Sequence, residues 1–78
     1  MYCVVDGYNH VYIETTAAMQ IAEVRSRAMA ARGLAAEPVE GWEVRDVYNR
    51  PLNVRDTLGE AGLDNDDTVY VDPILAEP

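Results

Sequence analysis

Lysine is absent from this chain: all six basic residues are arginine, set against fourteen acids, and the net charge is −8 over 78 residues. A chain so short of cations lacks the phosphate-neutralising charge that supplies most nucleic-acid and anionic-membrane binding, so neither is expected as a partner. Without lysine it cannot carry further copies of itself on lysine side chains, and only its N-terminal amine is left for that chemistry. A GC-rich genome produces the same absence. Cysteine, histidine and serine occur once each, as Cys3, His10 and Ser26. A lone cysteine makes no internal disulfide, which fits a reducing compartment. No apolar run reaches the roughly 18 residues a membrane helix requires, and no basic-then-apolar leader opens the chain. The expectation is a cytoplasmic protein. A domain of this size buries roughly 60% of the surface its unfolded chain exposes, so one small core is all it can build.

What is present is alternation. Tyr2 to Asp6 is rich in β-formers, Gly7 to His10 supplies turn residues, and Val11 to Glu14 resumes the pattern, which predicts a β-hairpin. If Cys3, Val5, Val11 and Ile13 face inward, then Tyr2, Val4, Tyr12 and Glu14 face out. The opposite register stays open for the first strand, because Tyr2 and Val4 are also core material. Thr15 and Thr16 are candidate N-caps for a helix over Ala17 to Arg32, about 24 Å long. Its apolar stripe is Ala17, Ile21, Val24, Ala28 and Ala31, with Glu23 and Arg27 paired outside it. Gly33 stands at the C-cap position. Pro38 bars continuation, and Gly41 releases the chain into a strand from Trp42 to Tyr48.

A polar turn at Asn49-Arg50-Pro51 and a short strand at Leu52 to Val54 lead to a corner, Thr57-Leu58-Gly59-Glu60-Ala61-Gly62-Leu63. That corner tucks Leu58 and Leu63 under the sheet. After the acidic turn Asp64 to Asp67, a last strand runs from Thr68 to Val71, with Trp42, Val44, Val69 and Val71 on alternate, inward positions. Pro73 is expected to end it.

The parts for catalysis are missing. Ser26 lies on the helix and Cys3 in a buried strand, so no nucleophile, base and orienter come together, and the chain is read as a non-enzyme with no cofactor. His10 is a solvated turn residue rather than a metal ligand, since zinc sites need three or four clustered ligands. An EF-hand reading of Asp64-Asn65-Asp66-Asp67 needs glycine at the sixth position and glutamate at the twelfth, where Val69 and Leu75 stand. Gly59-x-x-Gly62 lacks the third glycine and the lysine of a phosphate loop.

Surfaces remain. On the face of the sheet away from the helix the alternation exposes Tyr2, Tyr12, Glu43, Arg45 and Tyr70. Tyrosine gives large, rigid contact area and is enriched in binding hot spots. Cross-strand aromatic pairing that only stabilises an open sheet accounts for the same residues.

The order hairpin, helix, strand, short strand, Thr-Leu corner, strand, and the pattern W-E-V-R-D…L-x-E-A-G-L-x-x-x-D-T-V-Y-V, resemble bacterial ubiquitin-like proteins over nearly the whole chain. That resemblance implies an α+β fold of the ubiquitin-like β-grasp kind, a mixed sheet of four to five strands with one main helix packed on one face. It implies a domain over residues 1–72 and a C-terminal arm over 73–78. The implied function is a small protein modifier, activated through its C-terminal arm and joined to targets in a bacterial ubiquitination-like pathway associated with defence against phage. Its implied partners are homologues of activating and conjugating enzymes and of processing peptidases. The reactive end would be Asp72, Pro73, Ile74, Leu75, Ala76, Glu77 and Pro78, and the outer sheet face the recognition surface. The arm ends without the Gly-Gly of such modifiers: residues beyond Pro78 are missing, a protease trims it, or the usual conjugation does not apply. The alternative implied function is a non-conjugated ubiquitin-like binding module, such as those of secretion machinery.

Overall fold

Asp6 and Gly7 turn the chain back on itself with positive φ angles of 53° and 94°, a conformation that Asp tolerates and Gly adopts freely. A computed structural model of the chain describes residues 1–74. The turn joins strand β1 (Tyr2–Val5) to strand β2 (Asn9–Tyr12) in antiparallel register, Tyr2 opposite Tyr12 and Val5 opposite Asn9. The hairpin starts where the alternation predicts, but its turn is shorter, so His10 belongs to β2 rather than to the loop.

Helix α1 spans Ile21–Ala31, one 3₁₀ turn spans Val39–Gly41, and strands β3 (Trp42–Arg45) and β4 (Thr68–Pro73) complete a four-stranded sheet in the order β2-β1-β4-β3. Strand β4 inserts between β1, to which it is parallel, and β3, to which it is antiparallel. The result is a mixed sheet with one helix on one face, an α+β arrangement. Among the described residues no helix is long and apolar enough to cross a membrane.

The helix is shorter at both ends than its composition suggests, and its caps differ. Gln20, not Thr15 or Thr16, is the N-cap, and its side chain caps nothing. The first amides of α1 are satisfied from across the molecule instead: Ile21 N–H donates to the Asp56 carbonyl at 2.9 Å and Ala22 N–H to the Val54 carbonyl at 2.9 Å. Residues 17 to 20 are thereby held out of the helix. The Ala17 and Met19 carbonyls accept from the Gly59 and Leu58 amides at 3.0 and 2.9 Å. Ala17 and Ala31 are exposed, and the buried stripe is Ile21, Val24, Ala28 and Met29. Gly33 closes the helix as expected, at φ 75°, with the Leu34 amide reaching back to the Met29 carbonyl at 2.8 Å.

The core lies between this stripe and the inner side of the sheet: Cys3, Val5, Val44, Val69 and Val71 meet Ile21, Val24, Ala28 and Met29, with Met1, Ile13, Trp42 and Leu58 closing the edges. Each large side chain removed from water here contributes about 1.5–3 kcal/mol. Leu58 is 2% exposed and Leu63 packs half-buried against the core, as the corner predicts. Thr57 and Glu60 hold that corner by a reciprocal pair of bonds: the Thr57 amide donates to the Glu60 carboxylate at 2.9 Å, and the Glu60 amide donates to the Thr57 hydroxyl at 3.1 Å.

Three of the expected strands have other bounds: β3 ends early, the short strand shrinks to a bridge, and β4 runs on to Pro73 where Val71 was expected to be its last residue. The strand expected over Trp42 to Tyr48 stops at Arg45, because the buried Asp46 carboxylate draws the following backbone into a turn. Its Oδ1 accepts from the Tyr48 amide at 2.9 Å and the Arg50 amide at 3.0 Å. The short strand at Leu52 to Val54 reduces to a bridge between Arg45 and Pro51 and one bond from the Leu52 amide to the Val44 carbonyl at 2.8 Å. Pro73 closes β4 from inside it, opposite Trp42, and the Ile74 amide donates to the Gly41 carbonyl at 2.8 Å.

Candidate docking face

Side-chain alternation puts the residues that flank Cys3, Val5, Val69 and Val71 along each strand on the side of the sheet opposite α1. Register then builds the outer face row by row. Tyr2 stands between Tyr12 and Thr68, Val4 between His10 and Tyr70, Arg45 opposite Tyr70, and Glu43 opposite Asp72. All five residues expected on this face are there. Tyr2 and Tyr12 are about half exposed and Tyr70 is 37% exposed.

The structure gathers them into two groups. Tyr2 and Tyr12 meet edge to face, ring centroids 5.1 Å apart and planes at 64°, the geometry their ring quadrupoles favour. Glu43 and Arg45 form an ion pair along the same strand. Arg45 also donates to the Asn49 carbonyl at 2.9 Å, so its guanidinium is bound to its own side of the sheet. Between the groups lies Val4, outward by register yet only 7% exposed, because Tyr70 and His10 flank it. The first-strand ambiguity thus resolves with Tyr2 and Val4 outward and Val4 covered by its neighbours.

Alternation alone missed several members of this face. Asp6 follows β1 and its amide bonds to the Val71 carbonyl at 2.9 Å, which sets it beside Asp72. Asp6, Asp72, Glu43, Arg45 and Asn49 line a groove of about 640 Å³, ended by Pro73 and Ile74. A smaller cavity of about 210 Å³, lined by Tyr70, Asp72, Asn49 and Val47 among others, adjoins it through Asp72 and Asn49. Of the residues read as a C-terminal arm, Asp72 and Pro73 are paired in β4 and Ile74 is bonded to Gly41. Leu75, Ala76, Glu77 and Pro78 lie outside the described residues. The boundary between the sheet and an arm therefore falls no earlier than Ile74.

The loop beside the groove is built on Asp46, 7% exposed. Arg50 reaches its Oδ2 at 3.0 Å and stacks over the Tyr48 ring at 5.1 Å from the centroid. The Arg50 amide, foremost, with the Tyr48 amide and the Arg50 guanidinium, holds the Asp46 carboxyl below its ordinary value of 3.8, while burial pushes the other way. On the opposite side of the sheet, burial pushes the Cys3 thiol up to about 11, which leaves it inert at neutral pH. Among the described residues no cluster of histidine, cysteine and acidic side chains could hold a metal ion. No protein-family model and no curated protein sequence matches this chain.

Proposed function

We propose that the chain is a ubiquitin-like β-grasp protein serving as a small modifier, handled through its C-terminal residues by activating, conjugating and processing enzymes, in a pathway of the bacterial antiphage kind. The observation that supports it is topological. A hairpin, one helix, and a final strand inserted parallel to β1 and antiparallel to β3 give the order β2-β1-β4-β3, with a helix on one face and an aromatic and charged face on the other. In this reading the outer face docks the enzymes, and the segment leaving β4 carries the chemistry.

Intact-mass analysis of the protein, expressed from its native gene with the flanking genes, tests it. Higher-mass species that map to a target amine joined to this protein's C-terminal carboxyl are the expected result. Only the unmodified mass, with active neighbours present, overturns it. One observation favours a second reading, a non-conjugated binding module: Asp72 to Ile74 are held on the sheet rather than released from it.

A further inference from the structure

Three carboxylates stand in one row across three neighbouring chain segments. Glu43 is directly opposite Asp72, and Asp6 follows the paired Val5 and Val71 on the other side of β4. Like charges placed opposite each other on a sheet destabilise it. Only Arg45 lies among them, and it is already held by Glu43 and by the Asn49 carbonyl. Asp6 and Asp72 make no ion pair among the described residues. The row floors the groove of about 640 Å³, and its neighbour cavity brings the Tyr70 ring beside Asp72.

From this juxtaposition we infer that the groove receives an extended, arginine-bearing segment of a partner protein, a guanidinium pairing with Asp72 and Asp6 and lying against Tyr70. Charge complementarity selects the occupant: three carboxylates face one committed guanidinium, in a chain of net charge −8. Arginine fits better than lysine because its planar fork takes a carboxylate bidentately while its face stacks on an aromatic ring, and an ammonium does neither. The protein uses the same trio within itself, where Arg50 pairs with Asp46 and lies over Tyr48. The inference rests on the outer face being a docking surface, which both functional readings share.

The test is an NMR titration of the whole chain with a short capped peptide alternating arginine with serine, alongside its lysine and glutamate counterparts. Saturable shifts confined to the surroundings of Asp6, Glu43, Tyr70 and Asp72 are expected, with the arginine peptide bound several-fold more tightly than the lysine one. The glutamate peptide gives none. In the double variant Asp6→Asn/Asp72→Asn the affinity drops by about tenfold, while the melting temperature stays level or rises, since removing a repulsion cannot unfold the sheet. Equal affinity in the variant, shifts scattered over the acidic surface, or no preference for arginine overturns the assignment. Displacement by spermine at equal strength would point to a small polycation, and concentration-dependent doubling of mass with the same residues masked would point to a second copy; either removes the inference. The titration reads the groove and the adduct assay reads conjugation. Peptide binding without adducts therefore removes the modifier reading alone, and adducts without groove-specific binding remove the groove alone.

Discussion

On the helix side of the sheet, Cys3, Val5, Val44, Val69 and Val71 are each at most 1% exposed, whereas the other side turns out Tyr2 at 52%, Tyr12 at 50% and Tyr70 at 37%. The inner side is built from four valines and one cysteine, small apolar side chains whose only requirement is to fill volume against α1. The outer side mixes rings, three carboxylates and one guanidinium, and its neighbours partly oppose one another. Most of the buried apolar surface therefore sits on one side, and the exposed rings and charges on the other. A sheet that is stable from one face is free to carry a charge pattern on the second that costs it something.

The inner side responds most strongly to substitution. Ile21→Ala leaves a cavity under a side chain that is 1% exposed, and the expected loss is about 2–5 kcal/mol, most of the stability of a domain this small. Urea denaturation followed by circular dichroism reads it, and a loss under about 1 kcal/mol would show that the helix is not the main support of the sheet.

A smaller effect belongs to the loop at the groove. Asp46 has a folded-state pKa below its unfolded value, so the stability it contributes is present above pH 3.8 and is lost as pH falls below that. Asp46→Asn is expected to melt lower than the parent at neutral pH and to lose less on acidification. If both proteins follow the same acid limb, Asp46 does not set it.

On the outer face the expected change is smaller again. Tyr12→Ala removes the edge-to-face partner of Tyr2 and should cost about 0.5–1.5 kcal/mol beyond the lost area. The double cycle with Tyr2→Ala isolates that coupling. A coupling of zero would make the tyrosines independent and leave the docking reading of the face without its structural rival.

The smallest effect at neutral pH comes from Cys3, whose raised pKa makes the reduced thiol silent. Its contribution is complete below pH 9.0 and fades as pH climbs from there through about 11. Iodoacetamide at neutral pH is expected to label Cys3 only after denaturation, as mass analysis would record. Labelling of the folded protein at the rate of a free thiol would mean that the inner face opens at β1, in the interior of the sheet.

Features set by short-range interactions were legible in the sequence, and those set by long-range ones were not. The hairpin, the stripe of Ile21, Val24 and Ala28, the Gly33 cap, the Leu58 corner and the five outer-face residues follow from periods of 2 and 3.6 and from single-residue backbone preferences, all local properties. The start of the helix was not legible, because the atoms that cap it are the carbonyls of Val54 and Asp56, more than thirty positions along the chain from the amides they accept. Threonines at 15 and 16 look like caps only if no better acceptor arrives from elsewhere.

The end of β3 was hidden for a related reason: Trp42 to Tyr48 is rich in β-forming residues, and composition does not show that the Asp46 carboxylate accepts two backbone amides and turns the chain. The groove was least legible of all. Asp6 reads as a turn residue, Glu43 as a solvent-facing strand residue and Asp72 as the start of an arm, and nothing local links them. Which residues are apolar, where the backbone can turn and which side of each strand faces water are set by neighbours a few bonds away, and the chain's local pattern carries them. The place of β4 between β1 and β3, which brings three carboxylates from three distant segments into one groove, is fixed by long-range packing. Strand order is the outcome of competing long-range burials, and no local pattern encodes it.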